Sequence, residues 1–186
     1  MDRAFVVVSG LPGSGKTTLA RQLADELGLP LLDKDDILGR LFEANVIGDS
    51  AWRRGLSRES DVILEREAAA STGAVLTSFW RVPGMAADSG TPTHWLHGLS
   101  NLVVNVHCVC SPETAAKRFV ERKRHAGHLD GHSTYADVLT SLQALATLGT
   151  LDVGPRLDVD TSGPVTIDNV VREIRRVFTR DRSSFR

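Results

Sequence analysis

The sequence predicts an α/β fold on a mainly parallel sheet of five strands. Three observations carry this expectation. Short apolar runs alternate with stretches of helical periodicity along the chain. The first run, Ala4–Val8, has no polar interruption, which suits a strand buried on both faces. Polar and glycine-rich clusters follow strands or open helices, on the edge where right-handed crossovers collect strand C-termini.

The elements follow in order. Ala4–Val8 is the first predicted strand, and a glycine-rich turn comes next. Lys16–Leu27 places Leu19, Leu23 and Leu27 on one stripe, and Gly28 ends that helix. Leu29–Leu32 is a second short strand, and Ile37–Phe42 reads as helical. Ser57–Ser71 is a longer predicted helix with Ser57 as its N-cap. Ala74–Phe79 and Leu102–Val109 are the third and fourth strands. Ser111-Pro112-Glu113 supplies a cap, a proline at the first helical position and a first-turn acid. That helix is expected to run to Arg124, and Gly127–Ser133 to be a loop. Tyr135–Leu148 is helical, Arg156–Val159 is the fifth strand, and Asp168–Phe178 is a last amphipathic helix. No repeat or low-complexity block appears, so residues 1–186 are expected to form one domain.

Composition excludes several classes. Lys and Arg total 22 against 23 Asp and Glu, a net charge of −1. This balance supplies no global basic field and argues against a nucleic-acid or membrane partner. No apolar run reaches the roughly 18 residues of a membrane span. Met1-Asp2-Arg3-Ala4 leads into the first strand without a signal-peptide cleavage pattern. The only cysteines, Cys108 and Cys110, are two apart on a predicted strand. They share a face in a geometry unsuited to a disulfide. A reducing, cytoplasmic location is therefore expected.

The sharpest motif is Gly10-Leu11-Pro12-Gly13-Ser14-Gly15-Lys16-Thr17. It fits G-x-x-x-x-G-K-[ST] at every fixed position, between a predicted strand and a predicted helix. Its glycines let backbone N–H groups curl around an anion, and the helix N-terminus adds partial positive charge. Lys16 suits the β/γ phosphates and the Thr17 hydroxyl suits Mg²⁺. The expected nucleotide-binding set is Gly10, Leu11, Pro12, Gly13, Ser14, Gly15, Lys16, Thr17 and Thr18. No N-K-x-D segment for guanine is present, so ATP with Mg²⁺ is the expected ligand.

Three places together resemble the small P-loop kinases of the nucleoside-monophosphate-kinase-like group, AAA-type ATP-binding kinase-like proteins. They are the cradle, Asp33-Lys34-Asp35-Asp36-Ile37, and Ser111-Pro112-Glu113 leading to Arg118, Arg122 and Arg124. The sequence is similar to the branch of shikimate and gluconate kinases, chloramphenicol phosphotransferase and polynucleotide kinase. The resemblance implies a three-layer P-loop NTPase fold with a helical lid over about residues 113–134 and an acceptor-capping insert over about 36–58. It implies Asp33 beside Thr17 at the magnesium, and Asp35 as general base on an acceptor hydroxyl, while on residues alone Asp35 or Asp36 also suits the N-cap of the helix that Ile37 opens. It implies Arg118 stacked on adenine and Arg122 at the β/γ phosphates, with Arg124 as a second candidate. Arg118 and Arg122, four apart, are expected on one helix face. Lys117–Arg124 carries five cations and one acid, which on residues alone also suits a solvated face.

The third strand ends in Thr77-Ser78-Phe79-Trp80-Arg81 without the aspartate found in many P-loop ATPases. That leaves Asp33 as the magnesium candidate and puts Ser78, Trp80 and Arg81 where acceptor contacts are expected. Trp80 as core and Arg81 as surface charge are the alternatives. Arg53 and Arg54, beside Trp52 in the insert, suit an anionic or polyhydroxyl acceptor or simply solvent. His125, His128 and His132 form H-x-x-H-x-x-x-H, but Gly127 and Gly131 argue against a helix there and no cysteine completes a zinc set. The expected activity is phosphoryl transfer from ATP to a small-molecule hydroxyl. The alternatives are a nucleotide switch and a nucleic-acid 5′-end kinase.

Overall fold

A computed structural model describes residues 3–100, 102–123, 125–128 and 133–183. Five strands form one parallel sheet in the order β2-β3-β1-β4-β5. They are β1 Ala4–Gly10, β2 Leu31–Asp33, β3 Gly73–Thr77, β4 Leu102–Val109 and β5 Arg156–Asp160. The helices are α1 Lys16–Leu27, α2 Lys34–Glu43, α3 Ser50–Ala70, α4 Pro112–Glu121, α5 Tyr135–Ala146 and α6 Ile167–Ser183. The expected α/β class and parallel sheet are therefore present.

Alternation along β1 builds two cores. Phe5 and Val7 pack with Leu64, Ala68, Leu76, Trp80 and Leu96 on one face. Val6 and Val8 pack with Leu19, Leu23, Val104, Val106 and Ile174 on the other. Both faces are buried, which explains why β1 shows no polar interruption. β1 lies between β3 and β4, so its C-terminal end opens at the reversal of strand order, where open α/β sheets bind ligands.

Several boundaries differ from expectation for local reasons. α3 starts at Ser50, because Asp49 caps it by accepting from the N–H groups of Ala51 and Trp52 at 2.9 Å each. Ser57 is therefore mid-helix, not a cap. α2 starts at Lys34, and its cap is Asp33, the last residue of β2. α4 ends at Glu121, and Arg122 leaves it with an extended ψ of 137°. Arg118 and Arg122 therefore do not share a helix face. Arg124 lies outside the described residues, as does most of the loop expected over Gly127–Ser133. Cys108 and Cys110 are free thiols, Cys108 buried. No helix among the described residues is long and apolar enough to cross a membrane.

Candidate active site

The site is built on the turn from β1 to α1. Gly15 caps α1 in the left-handed conformation, and no side chain caps the first N–H groups of that helix. Such donors form an anion-binding end. Gly13 has φ of +83°, and a Cβ there would come within 2.2 Å of the Ala115 carbonyl oxygen. Only glycine lets the loop run against α4 in this way.

Lys16 is held inside the cradle. Its Nζ donates to the carbonyls of Gly10 at 3.1 Å and Leu11 at 2.8 Å. Burial pulls its pKa down to about 8, with Cys108, Asp35 and Asp33 opposing and Arg122 reinforcing that shift. The two aspartates and the arginine singled out in the sequence are therefore brought around one ammonium.

Asp33 is 4% exposed. Its Oδ1 accepts from the Asp35 N–H at 2.8 Å, the capping bond of α2. Burial raises its pKa to about 6, against the pull of that N–H and of the Thr17 hydroxyl, while the charges of Asp35 and Asp36 add to the rise. Its Oδ2 is buried without a hydrogen-bond partner. A buried carboxylate oxygen left over beside a threonine hydroxyl suits a hard cation that takes oxygen ligands and keeps several waters. Thr17 and Asp33 thus fit the Mg²⁺ expected with a nucleotide. Asp35, two residues on, is exposed on the first turn of α2.

The arginines are placed by different anchors. Arg118 donates to the carbonyls of Thr161 at 2.8 Å and Ser162 at 2.9 Å, which fixes its guanidinium beside the β5–α6 loop. Arg122 lies over the Phe119 ring at 4.0 Å. Arg53 donates from Nε to the His128 carbonyl at 3.0 Å, and Arg54 is exposed.

The residues after β3 have other tasks. Trp80 is 3% exposed, and its indole N–H donates to the Val8 carbonyl at 2.9 Å. It belongs to the core, not to an acceptor surface. Ser78 is bonded to the Thr91 hydroxyl at 2.6 Å. Arg81 donates to the Ser89 carbonyl at 2.8 Å and the Gly90 carbonyl at 3.3 Å. Ser78 and Arg81 thus hold the loop that follows β3, while Trp80 ties it to β1.

Two features escaped the sequence reading. Lys34 donates to the Ser57 hydroxyl at 3.2 Å and pairs with Asp61 at 2.6 Å, with both charged side chains largely buried. Burial lowers the Lys34 pKa, and Asp61 opposes that shift. Arg53, Ser57 and Asp61 are spaced i, i+4 and i+8 along α3, a polar stripe that spacing could have flagged once the helix was started at Ser50. The second feature is a ring cluster around Phe42, for which no local signal exists.

Residues 5–143 match the AAA_33 family of AAA domains. The chain belongs to that family. A candidate kinase from Chloroflexus aurantiacus superposes with a TM-score of 0.78 at 27% identity, covering 95% of this chain and 98% of that one. A shikimate kinase from Bacteroides thetaiotaomicron shares the fold, with a TM-score of 0.60 at 16% identity over 95% of this chain and 98% of that one. An uncharacterized protein of Mycobacterium tuberculosis is 30% identical over 171 residues, 86% of this chain and 32% of the relative. The chain thus spans about a third of that relative's length. The fold is that of the kinase-like P-loop nucleotide-binding group, as the sequence resemblance implied.

Proposed function

We propose that this protein transfers the γ-phosphoryl group of ATP to a hydroxyl of a small molecule. The observation that carries this reading is the start of α2. It sets a buried carboxylate with an unused oxygen and an exposed carboxylate two residues apart, both acting on Lys16. A hydrolase or switch needs the first; the second is what an acceptor hydroxyl requires.

The cradle N–H groups and Lys16 hold the phosphates. Thr17 and Asp33 would hold Mg²⁺, which when bound neutralises charge on the β- and γ-phosphoryl oxygens. Asp35 orients the acceptor hydroxyl and takes its proton as the new O–P bond forms. The bond from the γ-phosphorus to the bridging oxygen breaks in line, and ADP leaves. Arg122 stabilises the transferring group, and Arg118 offers its guanidinium plane to adenine. Residues 113–134 act as the lid, and the α2–α3 insert with Arg53 and Arg54 caps the acceptor.

An ATP-consumption screen over sugars, nucleosides, antibiotics and oligonucleotides tests this. One small-molecule class should stimulate turnover. Lys16→Ala should abolish it. Asp35→Ala should lower kcat by about 10²–10⁴-fold while nucleotide affinity stays within about twofold. Near-wild-type turnover in Asp35→Ala would remove the base assignment. Nucleotide binding that no acceptor class affects would favour a switch, and salt-sensitive oligonucleotide binding with end phosphorylation a nucleic-acid kinase.

A further inference from the structure

We propose that Phe42 and Gly127 are positioning residues. They join the segment that follows Arg122 to the helix pair that begins at Asp35. The inference rests on the kinase reading above and names the contact through which the two sides of its site move as one.

Phe42 sits near the end of α2 and is 1% exposed. Trp52 of α3 stacks on it with ring centroids 5.4 Å apart and planes at 29°. His125 stacks at 5.4 Å and 16°. His128 meets it edge-on at 5.0 Å and is itself 6% exposed. Two of these rings come from the insert and two from the turn beyond α4. The turn is held a second way, by the bond from Arg53 Nε to the His128 carbonyl.

Gly127 shows that the contact is specific. A Cβ at this position would lie 2.7 Å from Phe42 Cγ and 2.9 Å from two further ring atoms. Its φ is outside the left-handed range, so the backbone conformation does not call for glycine. Space does. The glycine permits the backbone of the turn to lie flat against the ring.

The consequence is geometric. α2 carries Asp35 at its first turn and Phe42 at its last. Arg122 is three residues before His125. Docking on Phe42 therefore ties the turn that follows Arg122 to the same helix that carries the proposed base. Reacting groups need placement well within an ångström, so a shifted turn should lower kcat more than nucleotide binding.

The test uses the full chain with ATP and the acceptor found by the screen. Gly127→Val should lower kcat at least about tenfold, with nucleotide affinity within about twofold of wild type. Adding Phe42→Leu, which clears space at the ring, should recover part of that loss. Unchanged kcat in Gly127→Val, or strictly additive losses in the double variant, would overturn the proposal. Backbone hydrogen exchange gives a readout without acceptor. The Gly127 and His128 amides should be protected in wild type and exchange faster in Gly127→Val. Unprotected amides in wild type would overturn the docking itself. Failure of every acceptor in wild type would defeat the kinase reading, and the exchange result would then still decide whether the turn docks on Phe42.

Discussion

The two sides of the candidate site are held by different forces. The nucleotide side is made of backbone. Its φ values are positive at Gly10, Gly13 and Gly15, and its donors are the uncapped N–H groups of α1. The proposed acceptor side is made of side chains from distant segments. Phe42, Trp52, Arg53, His125 and His128 meet there, and Lys34 of α2 is paired with Asp61 of α3. The difference teaches where each side is vulnerable. A cradle fails when a single Cβ intrudes. A cap fails when one partner of a buried pair or one ring of a stack is removed.

The sharpest way to break the comparison is Gly13→Ala. The new Cβ would sit 2.2 Å from the Ala115 carbonyl, on a residue with φ of +83°. The left-handed conformation alone costs a non-glycine residue about 1–2 kcal/mol. Relief of the clash adds a further cost of about 1–3 kcal/mol. Nucleotide affinity should fall on the order of a hundredfold or more by titration. Affinity within threefold of wild type, with unchanged thermal stability, would show that the loop is not set by its glycines.

That same contrast explains what was legible in the sequence. The cradle is a local code, because each glycine answers to its own φ and to immediate neighbours, so the motif could be read without a fold. The strands were legible for the same reason, since burial on both faces writes continuous apolar runs such as Phe5–Val8. Asp33 and Asp35 were visible as a pair, yet the capping role fell to Asp33 because β2 ends there, just past its apolar run, and α2 follows at once at Lys34 rather than at Ile37. Trp80 was open between core and acceptor. The bond of its indole to Val8, 72 residues away, decided for the core. The stack on Phe42 joins residues more than 80 positions apart and leaves no trace in spacing.

A smaller effect should come from the buried pair on the acceptor side. Asp61→Asn leaves the Lys34 ammonium without its anion, with 11% of that side chain exposed. Removing one partner of a buried pair costs about 3–5 kcal/mol, and the residual exposure brings the expectation here to about 2 kcal/mol. Urea unfolding at neutral pH measures this as a lower midpoint at constant slope. The sign of its pH dependence follows from Lys34. Burial already lowers the folded pKa of Lys34 below the ordinary 10.5, and loss of Asp61 removes the charge that holds it up. Between the folded and unfolded values the unfolded chain binds more protons, so stability rises with pH there. The deficit of Asp61→Asn should therefore shrink as the pH climbs toward 10.5. A deficit that grew with pH would show that Asp61 acts on something other than the Lys34 charge.

The smallest expected effect sharpens the comparison at single-residue resolution. Asp36 is adjacent to Asp35, and both are acids in the first turn of α2. Its partner is Arg21, at 3.6 Å, and the two side chains are 59% and 60% exposed, Arg21 first. An ion pair of that kind contributes about 0–1 kcal/mol, and a first-turn acid adds a similar amount through the helix dipole. Asp36→Asn should thus shift stability by less than about 1 kcal/mol and leave kcat within about twofold. The same change of charge one residue earlier, at Asp35, is expected to cost orders of magnitude. If the two variants lost activity equally, the site would be responding to the total negative charge at the start of α2. A large gap between them would mean that it responds to one carboxylate in one place.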